Sequence, residues 1–267
     1  MLALVVHESR GVFEPSRGGL AERLGGRLRT HRPVIVGGLV VVVGYIVMAV
    51  LLIGLGLIVT KLLVGGPVSH WDDSVNRWFV AQRTTTLTTV SSVGSALGET
   101  LTIIGIAVGV SIVFAIGRHW RALGFLAAAL TIEAAVALTT SVLVDRPRPT
   151  VPKLDSIPPT ASFPSGHTAA AIVLYIGLAL VLASFLRSAI VQALVWVLAI
   201  ATPIFVGLSR VYRGLHHPTD VMGSVVLGAG ALMFALLACR TAGAVTDRRA
   251  NKPGTAAPSP ADAEVVP

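Results

Sequence analysis

Residues that could bind and transfer a phosphoryl group occur in three short polar segments of an otherwise apolar chain. The segments are Arg146-Pro147-Arg148-Pro149, then Pro164-Ser165-Gly166-His167, then Ser209-Arg210 followed by His216 and Asp220. Arginine binds phosphate oxygens in a bidentate way, and histidine can act as nucleophile, acid or base near neutral pH. Ionisable groups between hydrophobic spans are costly to place and are usually functional. The three segments therefore indicate a phosphate-handling site.

The third segment contains the best candidate nucleophile. His216 and Asp220 are four residues apart, a spacing that brings a carboxylate near an imidazole ring on a helical turn. A carboxylate bonded to one ring nitrogen fixes the tautomer and leaves the other nitrogen free to attack. His217 is only three residues from Asp220 and is the weaker candidate. The alternative is an aspartate at a helix start beside an unrelated histidine.

The second segment is typical of a turn that opens a helix. Ser165 is a good N-cap residue, and the Gly166 amide next to it would be one of the unpaired N–H groups that hold a phosphate oxygen. His167 would lie one position further inside the helix. The alternative is an ordinary capped helix with an interfacial histidine.

The first segment supplies positive charge. Arg146 and Arg148 alternate with prolines, which gives a stiff, extended segment that presents guanidinium groups at little entropic cost. Alone, such a pair would indicate a lipid-headgroup anchor or a topology signal. The other two segments favour phosphate binding.

The rest of the chain has the composition of a membrane protein. Its mean hydropathy is +0.79, and only 13% of its residues are charged, which is less than a soluble domain needs. Long apolar runs with few charges are typical of transmembrane helices. Such runs cover about residues 34–60, 101–117, 122–144, 165–186, 189–208 and 220–239. We predict an all-α fold, a polytopic membrane helical bundle with six transmembrane helices.

The remaining segments complete the predicted domain organisation. Residues 1–33 form a basic N-terminal segment, residues 34–239 the six-span membrane domain, and residues 240–267 a disordered tail. Within the connection 61–100, the stretch from His70 to Arg83 suits an amphipathic helix in the membrane interface, and we assign it no chemistry.

Basic residues predict the orientation in the cell membrane. Arg118, Arg121, Arg187 and both basic ends fall on the same side of six crossings, which the positive-inside rule makes cytoplasmic. Both termini are therefore expected in the cytoplasm, and the three polar segments at the extracytoplasmic surface.

Several other functions are disfavoured. The net charge of +8 is concentrated in the ends and short loops, so we expect no nucleic-acid binding. The single cysteine, Cys239, allows no intramolecular disulfide. We expect no cofactor and no metal cluster. The sequence does not indicate an oligomeric state.

In order and spacing, the segments resemble the type 2 phosphatidic acid phosphatase superfamily of lipid phosphate phosphatases. The family signature is a lysine, six residues and Arg-Pro; then Pro-Ser-Gly-His; then Ser-Arg, five residues, His, three residues and Asp. The last two parts match fully, and Arg148-Pro149 matches the Arg-Pro. The lysine position, however, holds Ser141, which carries no charge. Arg146 and Lys153 are candidates to replace the missing contact.

The resemblance implies a mechanism without metal. His216 would attack phosphorus, held by Asp220, to form a phosphohistidine, and His167 would protonate the leaving oxygen and then activate water. The phosphate would be bound by four residues: Arg148, Ser165, Gly166 and Arg210. The enzyme would be a phosphoric monoester or diphosphate hydrolase.

The resemblance leaves the lipid substrate open. Phosphatidate, phosphatidylglycerol phosphate and polyprenyl diphosphates such as undecaprenyl diphosphate are candidates, and the resemblance slightly favours the last. A phosphotransferase with an alcohol acceptor is an alternative, and Ser141 raises a second, a catalytically weak lipid-binding pseudo-phosphatase. The related vanadate-dependent haloperoxidases are disfavoured by the six apolar spans.

One acidic residue lies within a predicted span. Glu133 is a functional candidate by default, because charges inside membrane helices are rare. It is at least two turns from Ser141, so direct phosphate contact is not expected. We predict a protonated or hydrogen-bonded contact between helices instead.

Overall fold

The computed structural model describes residues 10–156 and 160–250, and every regular element in these ranges is a helix. The helices are α1 Arg10–Phe13, α2 Leu20–Arg27, α3 Pro33–Leu57, α4 Pro67–Ala81, α5 Thr85–Leu97, α6 Thr100–Ile116, α7 Trp120–Val144, α8 Gly166–Ala171, α9 Gly177–Ala183, α10 Ala189–Tyr212 and α11 Pro218–Ala250. A π-helical segment, Ile58–Leu62, extends α3, and another, Ile172–Ile176, joins α8 to α9. The predicted all-α fold is confirmed.

Five helical segments in the described part of the chain are long and apolar enough to cross a membrane. They are Pro33–Leu62, Trp120–Val144, Gly166–Ala183, Ala189–Tyr212 and Pro218–Arg248. The pair formed by α5 and α6 qualifies as a sixth span that is bent by 46°. The chain is therefore a polytopic helical bundle with up to six crossings.

The connection 61–100 is more ordered than the sequence predicts. Its amphipathic stretch forms α4, close to the predicted range, but α5 follows where no helix was expected. Thr84 caps α5, since its side chain accepts a hydrogen bond from the amide of Leu87. The sequence of α5 is rich in serine and threonine and therefore has only a weak apolar pattern. Its Ser91 and Ser95 are buried against polar partners on a neighbouring helix.

The predicted disordered tail is wrong for residues 240–250, which continue α11. This end of the helix packs against α2, with Thr241, Ala244 and Val245 buried. Arg240 Nε also donates to the carbonyl oxygen of Val12 at 2.9 Å. Tertiary packing therefore extends a helix whose local composition predicts disorder. The rest of the predicted tail, residues 251–267, lies outside the described residues, as do residues 1–9 of the N-terminal segment.

The core lies where α3, α7 and α11 pack together. Leu52, Phe125, Val136 and Leu227 are fully buried there. Gly44 lets α3 approach α11 closely, because a Cβ atom at this position would lie 2.7 Å from the side chain of Phe234. Small residues at such contacts are typical of membrane helix packing.

At one end of this bundle, backbone hydrogen bonds join the three polar segments. The amide of Ser162 donates to the carbonyl of Arg146 at 2.8 Å, and the amide of Ser165 donates to that of Asp220 at 3.3 Å. The loop before α8 is thus attached both to the segment after α7 and to the start of α11. Packing of α7, α8 and α11 brings together segments that are far apart in sequence.

Candidate active site

His216 lies between α10 and α11 and is almost completely buried. Its Nδ1 is 2.8 Å from the carbonyl oxygen of Ser162. A carbonyl can only accept, so Nδ1 carries the proton and Nε2 keeps its lone pair. Nε2 lies 3.4 Å from a guanidinium nitrogen of Arg148. Burial lowers the pKa of His216, although Asp220 acts in the opposite direction, and the ring is therefore neutral near pH 7.

Asp220, fully buried at the start of α11, is held by several donors. Its carboxylate accepts hydrogen bonds from Ser162 Oγ, from Arg146 and, at 2.8 Å, from the amide of His217. The distance from Asp220 Oδ2 to His216 Nδ1 is 3.6 Å, which is longer than a hydrogen bond. The predicted carboxylate–imidazole pair is therefore present as a close contact, not as a direct hydrogen bond. The Ser162 carbonyl fixes the tautomer, and Asp220 acts on the ring through its charge.

Arg146 connects this carboxylate to a second one. Its guanidinium is buried between Asp220 and Asp72, a residue of α4 that lies 2.7 Å away. Asp72 also accepts from the amide and hydroxyl of Thr219, at 3.0 and 2.6 Å. Because its guanidinium is already paired with two carboxylates, Arg146 is not placed to replace the missing family lysine. Lys153, the other candidate, is exposed and does not line the cavity described next.

A cavity of about 660 Å³ lies between α6, α7 and α8. At its polar end it is lined by five of the predicted residues: Ser141, Arg148, Gly166, His167 and His216. Its other wall is apolar, formed by a group of residues from α6 and α7: Ile103, Ile104, Ala107, Leu130, Ala134, Ala137 and Leu138. A polar end joined to an apolar wall suits a ligand with a charged head and a hydrocarbon tail.

Arg148 carries the positive charge at the polar end. Its side chain donates to the carbonyl oxygens of Thr160 and Leu215, at 3.0 and 2.7 Å. In the described part of the chain no carboxylate forms a salt bridge with it. Burial lowers the pKa of Arg148, but an arginine stays charged at any physiological pH. Its charge is therefore available to an anion.

His167, on α8, faces the same cavity. Its Nε2 is 3.7 Å from a carboxylate oxygen of Glu99, the residue that precedes α6. Ser141 also lines the cavity, but its hydroxyl donates to the carbonyl of Leu138 in its own helix at 2.8 Å. The second histidine thus has a carboxylate neighbour, whereas Ser141 supplies no charge.

The other predicted phosphate ligands do not line the cavity. Ser165 occupies the predicted N-cap position of α8, but its buried hydroxyl pairs with that of Thr168 and does not cap a backbone amide. Arg210 donates to Ser95 Oγ at 2.8 Å, and its buried Nε–H has no partner. His217 lies 3.3 Å from the carbonyl of Pro147 and away from the cavity.

Glu133 lies within a helix, as predicted, but does not make the predicted contact. It is buried on α7 and lines the cavity. Among the described residues its carboxyl has no hydrogen bond or ion pair, so the predicted interhelical contact is wrong.

A second cavity, of about 490 Å³, lies on the opposite face of α8 and is lined almost entirely by apolar side chains.

Sequence reasoning missed several residues around the site. Asp72 and Glu99 belong to the connection before α6, and Ser162 precedes the second polar segment by two residues. Asp155 forms a salt bridge with Arg213 at the end of α10, which lowers the pKa of the carboxyl and fixes the 150–156 loop. The only sequence signal for Asp72 was its position as a charged residue in a predicted amphipathic helix. Within the described ranges, no three His, Cys, Asp or Glu side chains are grouped as metal ligands.

Comparison with known proteins agrees with this arrangement. A family model described as the PAP2 superfamily matches residues 120–243, which contain all three polar segments. This part of the chain is therefore similar to the PAP2 superfamily. A comparison with curated proteins gives no match.

Solved structures include a similar PAP2 protein. The chain is 25% identical to a protein described as the first transmembrane PAP2 type phosphatidylglycerolphosphate phosphatase from Bacillus subtilis. The match has a TM-score of 0.62 and covers 70% of this chain and 93% of that one. LpxE of Aquifex aeolicus is more distant, with 21% identity, a TM-score of 0.46, and coverage of 60% and 92%.

Proposed function

We propose that this protein is an integral membrane phosphatase that hydrolyses a lipid phosphate or diphosphate through a phosphohistidine. The observation that carries the proposal is the cavity in which His216, His167 and Arg148 meet an apolar wall. The phosphate would lie at the polar end while the hydrocarbon tail follows the wall toward the membrane. Phosphatidate, phosphatidylglycerol phosphate and polyprenyl diphosphate all have this form, and the similar Bacillus subtilis protein is named for the second.

In the first step His216 Nε2 attacks phosphorus, and the bond from phosphorus to the leaving oxygen breaks. His167 gives its proton to that oxygen. The attack makes the imidazole cationic, with its Nδ1–H still bonded to the Ser162 carbonyl and the Asp220 charge 3.6 Å away. That charge stabilises the phosphorylated ring.

In the second step water attacks the phosphohistidine. His167 takes a proton from the water, the bond between phosphorus and Nε2 breaks, and inorganic phosphate leaves. The Glu99 carboxylate lies 3.7 Å from His167 Nε2. Neither step requires a metal ion, so we propose that activity is independent of divalent metals.

Arg148 and the Gly166 amide are proposed to bind the transferring oxygens directly, since both line the cavity. Ser165 and Arg210 would join them if phosphate replaced their present partners, Thr168 and Ser95. Arg210 has an unpartnered buried Nε–H to offer. A buried donor without a partner is costly, so an entering anion would remove that cost.

Phosphate release from a panel of lipid phosphates by purified protein tests the proposal. Wild-type protein and His70→Ala, which removes an exposed histidine of α4, should release phosphate with a chelator present. His216→Ala should release none and form no acid-labile phosphoprotein. Equal release by wild type and His216→Ala would overturn the nucleophile assignment. Metal-dependent release would overturn metal independence, and a phosphorylated alcohol as product would identify a transferase.

We also propose that both termini are cytoplasmic and that the site opens at the extracytoplasmic surface, because basic residues favour the cytoplasmic ends of spans. Lys153 is exposed in the loop over the site. In a Cys239→Ser background, Lys153→Cys in intact cells should react with a membrane-impermeant maleimide. Reaction only after the cells are opened would reverse the orientation.

A further inference from the structure

Among the described residues, Glu133 is the one acidic residue that lines the cavity, and the proposed chemistry does not use it. Its side chain is 4% exposed and therefore opens mainly into this space. The titratable residues that share the cavity are Arg148, His167 and His216, all at the polar end. No described residue bonds its carboxyl, so the group is open to a partner that enters the cavity.

Glu133 lies on the same helix as Ser141 but further from the polar end of the cavity. It precedes Ser141, which lies at the polar end, by eight residues, or about 12 Å at 1.5 Å per residue. Ala134, Ala137 and Leu138 line the wall between them. The cavity thus has a polar end, an apolar wall and then one further polar group.

A carboxyl in apolar surroundings is costly unless it is hydrogen-bonded. In its protonated form it can donate one hydrogen bond and accept others. A hydroxyl or an ester carbonyl would satisfy it. A hydrocarbon chain would leave it unpaired.

We propose that Glu133 forms a second polar subsite, which hydrogen-bonds a hydroxyl or ester carbonyl that the lipid carries between its phosphate and its tails. The proposal rests on the proposed phosphatase function and makes that function more specific. A glycerol-based lipid phosphate has such groups, whereas a prenyl phosphate has none below its head group. The subsite therefore selects the glycerol-based class.

Two phosphate monoesters that differ below the head group test this selection: phosphatidate and a prenyl monophosphate of similar chain length. Wild-type protein should have the higher kcat/KM for phosphatidate. Glu133→Leu should lower the ratio of the two kcat/KM values about tenfold, because one hydrogen bond to a buried group is lost. Glu133→Gln should keep most of the ratio, since an amide also donates and accepts.

Thr131→Val is the matched control, because Thr131 is exposed on the same helix and does not line the cavity. It should keep the wild-type ratio. An unchanged ratio in Glu133→Leu, or an equal loss on both substrates with a lower thermal midpoint, would overturn the subsite and leave the phosphatase function standing. Failure of wild-type protein to hydrolyse either lipid would instead overturn the function itself.

Discussion

Replacement of Asp72 by asparagine tests how the Asp220 carboxylate is held. Arg146 lies between Asp72 and Asp220, and all three side chains are at least nine-tenths buried. The cluster therefore contains one positive and two negative charges. Asp72→Asn removes one negative charge and leaves Arg146 with Asp220 alone.

The structure sets the size of both expected effects. Removal of one partner from a buried ion pair destabilises a protein by about 3–5 kcal/mol. Because Arg146 keeps Asp220, we expect the lower limit, about 3 kcal/mol, or a thermal midpoint lower by roughly 6–12 °C. Asp220 would then be balanced by Arg146 and would stabilise the cationic ring of His216 less. A loss of about 1.4 kcal/mol there lowers kcat about tenfold.

Thermal unfolding in detergent and steady-state phosphate release measure the two effects. Asp73→Asn is the control, because Asp73 is the next residue of α4 and belongs to none of the salt bridges among the described residues. KM should change little, since Asp72 does not line the cavity. If Asp72→Asn matched wild type in thermal midpoint and kcat, the reasoning that Arg146 needs both carboxylates would be refuted.

Three further predictions concern charge at the site. Ser141→Lys should raise kcat/KM about tenfold or more, since a charge-assisted hydrogen bond contributes roughly 1.5–3 kcal/mol; an unchanged value would show that no contact is missing. Burial lowers the pKa of His216, so the acid limb of kcat/KM that it causes should have its midpoint below about 6.5, and a midpoint above that value would contradict a neutral buried ring. Arg213 lowers the pKa of Asp155, so their salt bridge stabilises the fold above the unfolded pKa of about 3.9 and is lost as pH falls through the folded value. Asp155→Asn should therefore lower the thermal midpoint at pH 7, and its difference from wild type should narrow near pH 3; a constant difference would be inconsistent with this linkage.

The cavity residues that sequence spacing identified lie at helix ends with strong local signals. Pro164 and Gly166 mark the start of α8, and Pro218 marks that of α11, so the adjacent histidines could be placed without knowledge of tertiary structure. The helical spans were predictable for a similar reason, because their apolar runs are long. The family resemblance added the roles proposed for the residues of each segment.

Long-range pairing could not be predicted in the same way. Asp72 and Arg146 are 74 residues apart, and nothing in an amphipathic helix specifies a distant arginine as its partner. The partner of the Ser165 hydroxyl was also not predicted, although Thr168 is only three residues away. Glu133 was read as an interhelical contact because the sequence cannot show that α6 and α7 leave a cavity beside it.

The chain order of the charge cluster has a consequence for biosynthesis. Asp72 is translated before the second span, Arg146 after the third, and Asp220 only at the start of the last helix. Until the ribosome reaches that helix, Arg146 lacks one of its two carboxylates. His216 is translated immediately before the helix. On the proposed mechanism, the nascent chain would therefore be unable to process lipid during insertion, and activity would begin with the arrival of its final membrane helix.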